Sequence, residues 1–498
     1  MADVVSVRRD TYFDSVALML ISRDAAAAPG VQQASAVAAT PLNLELLRDQ
    51  SFSLPEDLAP NDLVVAIRAG SEGEAHAALA AVERTLEDRR PGAPGAAPAV
   101  PLHSLRSAVR RHPDLSLAFI SVPGRFAAYE AAQALQAGLH VLCFSDGVPI
   151  EQEVALKCRA AELGLLFMGA DCGTAIIDGV GLGFANAVRR GPVGVIGASG
   201  TGIQEVTCLL DAAGVGISQA IGVGGRDLQA EVGGLMTLAA LRLLAQDAET
   251  KLIVVISKPP DPGVAAEIVS AAEATGKPVV MALPGLTGSL PGAASVRVAA
   301  TLEGGAQLAG ELAGVSAWAE AAPAVSPTPG LIRGLYSGGT LCTEAMAVAA
   351  QSAQDMRSNI PLRPEWRLAD SRRSEGHCFI DFGADQLTEG RAHPMIDPSL
   401  RNERLRREAG DRAVGVIVVD VVLGYGAHPD PATELAPLIR RALEDRPGRL
   451  TVCVSLCGAA GDPQGLERQA AQLRAAGAAV SRSAAGAARA ALLAAGLG

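Results

Sequence analysis

The chain has 498 residues, 49% of them hydrophobic and 19% charged, with a formal net charge of −11. That composition builds large cores and excludes a disordered chain, and at roughly 150 residues per domain the length predicts about three domains. The acidic balance and the 3% aromatic content exclude a global attraction for nucleic acid or anionic membrane and the stacking platforms of single-strand binders, so an anionic ligand must be held by local devices.

Apolar runs alternate with Ala-rich helical stretches from end to end. Strands are predicted at 63–67, 117–121, 140–144, 165–168, 193–197, 252–256, 278–283, 331–335, 414–419 and 450–455. Helices are predicted at 126–137, 152–163 and 264–274. Continuous Val/Ile/Leu strands followed by helices imply parallel sheets covered on both faces. Pro/Gly/Ala-rich stretches at 91–101 and 320–329 read as linkers. The uncharged, largely apolar run Pro278–Val296 holds three Pro and three Gly and does not read as membrane-spanning. The N-terminal apolar run Val16–Ile21 is too short for a signal peptide. The eight Cys contain no CxxC pair and read as reduced core thiols of a cytoplasmic protein.

The second linker separates two similar segments. Ser199-Gly200-Thr201, with Glu205 four residues after the Thr, follows one strand; Ser337-Gly338-Gly339-Thr340, with Glu344 four residues after its Thr, follows another. Downstream, Gly225-Arg226-Asp227 has a rough counterpart in Gly383-Ala384-Asp385. Pro260-Asp261-Pro262 matches Pro429-Asp430-Pro431, and the strand at 279–285 matches 452–458. The preserved order predicts a duplicated flavodoxin-like unit. The expected domains are a small N-terminal α/β region at 1–100, a Rossmann-like domain at 101–188, and flavodoxin-like domains at 189–322 and 330–498.

Each Ser-Gly-Thr loop is expected to open a helix. Free N–H groups and a partial positive charge at a helix N-terminus make an anion site without Lys or Arg. Ser199, Gly200, Thr201 and Gly202, with Ser337, Gly338, Gly339 and Thr340, are therefore the predicted phosphate-binding residues. No Walker A sequence occurs, and Gly179-Val-Gly-Leu-Gly183 reads as a turn. The Gly-rich loop at Gly225, with Arg226 as a fork donor beside Asp227, is a candidate for holding a substrate oxyanion. His393 and His428 lie in Gly- and Pro-rich turns, suited to polarising a carbonyl or moving a proton. His76, His103 and His112 read as bystanders, and no spacing suggests a metal site or a bound cofactor.

Segment 118–208 resembles the α subunit of succinyl-CoA synthetase, at Val122-Pro-Gly-Arg-Phe-Ala-Ala128, Ser145-Asp-Gly-Val-Pro-Ile150, Gly169-Ala-Asp-Cys172 and 194–201. Segment 330–498 is similar to the ligase domain of its β subunit. The fused arrangement, with Arg391-Ala-His-Pro-Met-Ile-Asp-Pro398 and Val422-Leu-Gly-Tyr-Gly-Ala-His-Pro-Asp-Pro431, resembles the FdrA family. Two features of the synthetase are missing: the phosphorylated histidine, replaced by Pro284-Gly-Leu-Thr-Gly-Ser289, and the CoA-binding Gly loop. The FdrA resemblance implies carbamoyl transfer between carbamoyl phosphate and a small amide such as oxamate, with companion subunits. In that scheme phosphate leaves at the paired loops, Arg226 or Arg391 clamps a carboxylate, and Lys258 neutralises phosphate. The alternatives are an acyl-CoA ligase subunit that takes its histidine and nucleotide domain from a partner, or a non-catalytic assembly subunit.

Overall fold

Residues 63–69 read LVVAIRA, apolar at consecutive positions, and the fold buries both faces of this strand. The computed structural model describes residues 1–11, 13–88, 102, 104–286, 288, 290, 296–315, 323–353 and 355–498. The proposed linker at 91–101 and part of the one at 320–329 lie outside the described residues. The chain divides into two compact units, 1–102 with 383–397, and 103–382 with 398–498.

The first unit contains β1 (Ala2–Arg8), α1 (Ser15–Ala26), β2 (Val31–Ala38), α2 (Pro41–Asp49), β3 (Leu63–Ala69) and α3 (Glu72–Asp88). Both β1 and β2 pair with β3 in antiparallel sense, giving the order β1-β3-β2. Val65 and Ile67 pack with Leu18, Ile21 and Leu86 on one face, while Val64 and Ala66 pack with Leu47 and Phe52 on the other. Parallel pairing, expected throughout, fails here. The connection through α2 turns the chain back, so β3 runs between β1 and β2 against both.

The second unit opens with α4 (Leu105–Arg111), β4 (Leu117–Ile120), α5 (Gly124–Gln136), β5 (His140–Cys143), α6 (Ile150–Leu163) and β6 (Phe167–Met168), a parallel sheet ordered β4-β5-β6. A hairpin of β7 (Thr174–Ile177) and β8 (Val180–Gly183) follows, and Gly179 sits in its turn. Then come β9 (Arg190–Gly197), α7 (Gly200–Ala212), β10 (Ile217–Gly222), α8 (Leu235–Gln246), β11 (Leu252–Ile256), α9 (Pro262–Ala274), β12 (Val279–Ala282), β13 (Val296–Ala299) and α10 (Leu302–Leu312). Their sheet is ordered β13-β12-β11-β9-β10-β7-β8.

The third sheet of this unit uses β14 (Leu331–Tyr336), α11 (Gly339–Ala349), β15 (Met356–Ser358) and β16 (His377–Asp381). The chain then contributes α12 (Asp385–Thr388) to the first unit. It resumes here with α13 (Ser399–Gly410), β17 (Val414–Val422), α14 (Pro431–Asp445), β18 (Thr451–Cys457), α15 (Leu466–Ala475), β19 (Ala479–Ser481) and α16 (Ala484–Ala495). The order is β15-β16-β14-β17-β18-β19. Set side by side, β13-β12-β11-β9-β10 and β19-β18-β17-β14-β16 are one topology used twice. The fold is thus α/β, a Rossmann-like sheet followed by two flavodoxin-like sheets, parallel except for the antiparallel β7–β8 edge of the first. In such sheets ligands bind beyond the carboxyl ends of the strands, at the switch in strand order. Those places are the loops after β9 and β14.

Of the eight thiols, Cys158 is exposed and the other seven are buried, so the expectation of core thiols fails at that one position. Among the described residues no helix is long and apolar enough to cross a membrane.

Candidate functional site

The loop after β9 folds as its sequence requires. Ser199 is the N-cap of α7, and its hydroxyl accepts the Gly202 N–H at 3.0 Å. Ile203 continues the helix by donating to the Ser199 carbonyl. Among the described residues the Gly200 and Thr201 N–H groups meet no acceptor. They point from the positive end of a 13-residue helix, the arrangement that stabilises an oxyanion.

The loop after β14 differs. Gly338 is the N-cap position of α11 and makes no side-chain cap. The buried Asp420 carboxylate, inside β17, accepts the Ser337 N–H at 2.7 Å and the Gly338 N–H at 2.8 Å. Arg401 donates to the Ser337 hydroxyl at 2.7 Å and to Asp420 Oδ1 at 3.0 Å. Burial pushes the Asp420 carboxyl up, opposed by the Arg401 charge and the two N–H donors. Burial likewise lowers Arg401, opposed by Asp420. Ser337 and Gly338 are therefore not free phosphate donors, because an internal carboxylate already holds their N–H groups. Gly339 and Thr340 are the part of this loop left to a ligand.

The two loops meet. A Cβ on Gly338 would lie 2.8 Å from Thr201 Oγ1 and 2.9 Å from Thr201 Cβ, so only glycine allows this approach. Behind them, the carboxyls of Glu205 and Glu344 are fully buried and face each other across the two halves. Each caps a helix of the opposite half. Glu205 accepts the Ala484 N–H of α16 at 3.2 and 3.3 Å, and Glu344 accepts the Leu302 N–H of α10 at 2.6 Å. Burial pushes Glu344 up to about 7; burial and the Glu344 charge push Glu205 well above the carboxylate range. Two carboxyls buried together disfavour double ionisation, so each holds the other's proton affinity up.

A pocket of about 470 Å³ lies beside α11, lined by Lys258, Pro259, Gly285, Thr343 and the segment 359–362 with Arg367. Ile360 ties it to the helix start, lying 3.9 Å from a Cβ built on Gly339. Lys258 lines this pocket together with Thr343 of α11.

The remaining predicted residues are dispersed. Asp227 is buried and structural: its carboxylate accepts Lys157 Nζ at 2.8 Å, the Thr237 hydroxyl at 2.7 Å and the Thr237 N–H at 2.9 Å, fixing the start of α8. Arg226 donates to the Val148 carbonyl at 2.8 Å and pairs with buried Glu153 at 2.5 Å. The glycine loop beside Gly225 serves packing, since Gly224, at φ +86°, would place a Cβ 2.6 Å from the Ala170 carbonyl. This arrangement corrects the substrate-binding expectation for Arg226 and Asp227. Arg391 and His393 belong to the first unit, whereas His428 belongs to the second. Arg391 donates to Asn43 at 3.2 Å, and His393 Nδ1 accepts the Met395 N–H at 3.2 Å. Desolvation pushes His393 down to about 4, which keeps it neutral and a poor proton store at pH 7. His428 Nδ1 accepts the Asp430 N–H at 3.1 Å, and its Nε2 lies 3.1 Å from Glu434. Both rings brace turns of their own loops.

Asp420, Arg401 and Lys157 were not predicted. Asp420 left one trace, a single acid inside the apolar run VGVIVVDVV. Lys157 left another, its i,i+4 spacing from Glu153. Arg401 sits in a helix crowded with charges and left none.

Two helix N-termini meeting across duplicated flavodoxin-like sheets give the chain a succinyl-CoA synthetase-like architecture. A CoA-ligase family model matches residues 335–494, a CoA binding domain model 188–285, and an "AllF, heavy metal-associated domain" model 1–100. YahF of Escherichia coli, described as uncharacterized, is 41% identical over 96% of this chain and 95% of its own. This chain belongs to the same family as YahF, which these matches make succinyl-CoA synthetase-like. Succinate–CoA ligase [ADP-forming] subunit alpha 2 of Archaeoglobus fulgidus is 32% identical over 41% of this chain and 71% of that one. The ADP-forming sulfoacetate-CoA ligase subunit SauD of Bilophila wadsworthia is 28% identical over 31% and 54%. Dinucleotide-forming acetyl-coenzyme A synthetase 1 of Ca. Korarchaeum cryptofilum aligns over 76% of this chain and 82% of that chain, at 16% identity and a TM-score of 0.31.

These relatives overturn the expectation of carbamoyl transfer: those with an activity in their names are CoA ligases, so the assignment as a carbamoyltransferase is withdrawn. The heavy-metal description of the first 100 residues does not fit their chemistry either. That segment contains no Cys and a single His. His76 Nδ1 lies 2.9 Å from the Glu72 carbonyl, and no metal-binding cluster occurs among the described residues.

Proposed function

We propose that this chain is a subunit of an acyl-CoA ligase of the succinyl-CoA synthetase type, contributing the paired ligase domains at 189–322 and 330–498. The observation that carries the reading is the meeting of α7 and α11 at Thr201 and Gly338, which sets unpaired helix N–H groups beside a pocket. In such a ligase the CoA thiolate attacks the acyl carbon of an acyl phosphate, the C–O bond breaks, and phosphate departs. The Gly200, Thr201, Gly339 and Thr340 N–H groups take up the phosphate charge, the chemistry for which preorganised donors are most effective. We further place the chain among FdrA-like proteins, on the motifs at 391–398 and 422–431.

No His occurs between 141 and 376, so the loop after β12 offers no phosphorylated histidine. A companion subunit supplies it, together with the nucleotide site. The chain alone, incubated with γ-labelled ATP, retains no label on histidine. The test is the co-expressed complex with acid, ATP and CoA. CoA-dependent thioester formation, reduced about a hundredfold by Thr201→Pro and less by Thr201→Ala, supports the reading. Thioester formation absent with every companion present rejects it.

A further inference from the structure

We propose that β4 is a docking edge through which two copies of this chain pair, strand against antiparallel strand, about a twofold axis at Phe119. The proposal goes beyond the ligase reading and does not rest on it.

Within its sheet β4 is the outer strand. It pairs with β5 on one side and, among the described residues, with no strand on the other. The Ser116 and Ile120 carbonyls accept the His140 and Phe144 N–H groups at 2.8 and 2.9 Å. Backbone groups alternate in direction along a strand, so those of Leu117, Phe119 and Ser121 point to the open edge. An open edge is a template for another strand, and proteins blunt it with charges, Pro or a bulge. Residues 116–121 read SLAFIS, without a charge or a Pro, and the register with β5 runs unbroken from Leu117 to Ile120. Nothing in β4 itself opposes a further pairing.

The same stretch of chain is apolar at its surface. Ala118 and Ile120 turn into the core, whereas Phe119, on the other face of the strand, is 46% exposed and stacks on the Phe144 ring at 5.7 Å between centroids. Leu115 and Val122 flank the strand and are exposed. Phe126 and Tyr129 follow one turn apart on α5, and Tyr129 is 66% exposed. Aromatics are 3% of the chain, so exposed rings gathered between 119 and 129 mark a protein interface.

The charges select the partner and its direction. Asp114 precedes the strand and Arg125 follows it. Both are exposed, and neither has an ion-pair partner among the described residues. In an antiparallel pair, outward residues oppose outward residues, so β4 pairing with its own copy is centred on Phe119. Leu117 then opposes Ser121 of the second copy, and the two Phe119 residues oppose each other. This register carries Asp114 toward the first turn of α5 in the second copy, where Arg125 stands, and the twofold repeats the contact. A parallel pairing sets Asp114 on Asp114 and Arg125 on Arg125. At a net charge of −11 two copies repel at a distance, and the two acid–base contacts supply the local match.

The test is sedimentation equilibrium of the full chain and its variants. The wild type is expected to be a dimer that weakens as salt rises. Phe119→Lys should raise the dimer dissociation constant at least about thirtyfold, as for an aromatic at the centre of an interface. Val180→Lys, at an exposed position in the turn-side strand of the β7–β8 hairpin, should leave it unchanged. Asp114→Arg and Arg125→Asp should each weaken the dimer about tenfold, and the double variant should restore it. That rescue stands even if Phe119→Lys does not fold. A wild-type chain that stays monomeric, or dimerises only when a companion subunit is present, overturns the proposal. So does a dimer that Phe119→Lys leaves intact, or a charge-reversed double variant no tighter than either single one.

Discussion

The loops after β9 and β14 share a sequence, a topology and a helix, but not an occupant. At α7 the N-cap hydroxyl of Ser199 satisfies the Gly202 N–H, and the Gly200 and Thr201 N–H groups meet no acceptor among the described residues. At α11 the two N–H groups just before the helix, on Ser337 and Gly338, are taken by Asp420, whose negative charge is part of the protein and is balanced by Arg401. A helix N-terminus attracts an anion in either case. The difference teaches that an anion can be built in at a helix N-terminus, and that one side chain of β17, three strands after β14, decides it.

The sharpest way to break this contrast is to remove the built-in anion. Asp420→Ala should destabilise the fold by about 3–5 kcal/mol, because it strands a buried Arg401. Urea unfolding reads this directly, and an Asp420→Ala/Arg401→Met variant should recover much of the loss. A cost below about 1 kcal/mol would show that water reaches the site and that the two loops are alike.

The raised carboxyls of Glu205 and Glu344 give a second handle. Both folded-state values lie above the unfolded one, so the folded protein holds protons that the unfolded chain releases. The stability this contributes is complete below about pH 4.5 and is lost as pH rises through about 7. Relative to Glu344→Gln, the wild type should lose up to about 1.4 kcal/mol per pH unit across that window. Parallel urea midpoints for the two proteins from pH 5 to 8 would contradict it.

Gly338→Ala tests the contact itself. The new methyl meets the Thr201 side chain at under 3.0 Å, and crowding of this kind costs about 1–3 kcal/mol. Thr201→Gly in the same chain should return part of it, and a coupling energy near zero in the double-mutant cycle would mean that the loops do not touch in solution. The smallest effect belongs to Ser199→Ala, a lost N-cap worth about 1 kcal/mol. Its counterpart Ser337→Ala should instead report through Arg401, which loses a buried acceptor.

The parallel sheets were legible because their strands are continuous apolar runs of the kind that only burial on both faces produces. The first unit was less so. In β2 the run VQQASAVA carries polar residues on a half-buried strand, and nothing local says that β3 will run between β1 and β2. At the candidate site, the Ser-Gly-Thr loops and their glutamates stood out as a repeat. The partners that distinguish the loops did not, since Asp420 and Arg401 lie more than 60 residues from Ser337 and are brought to it by sheet order alone. His393 and His428 were chosen for their residue type in turns, and turn bracing is what their hydrogen bonds describe.

The crossed capping has a consequence for how the chain can be divided. Each half owns one N-cap of its last helix, Thr301 for α10 and Ser483 for α16, but the first N–H of each helix is held by the other half: Leu302 by Glu344 and Ala484 by Glu205. Either half made alone should fray at its carboxyl end, while the two made as separate polypeptides should reassemble, each restoring the other's missing turn. The covalent tie at 320–329 is then a matter of stoichiometry, not of architecture. A split gene carrying the break there would yield the same body from two products.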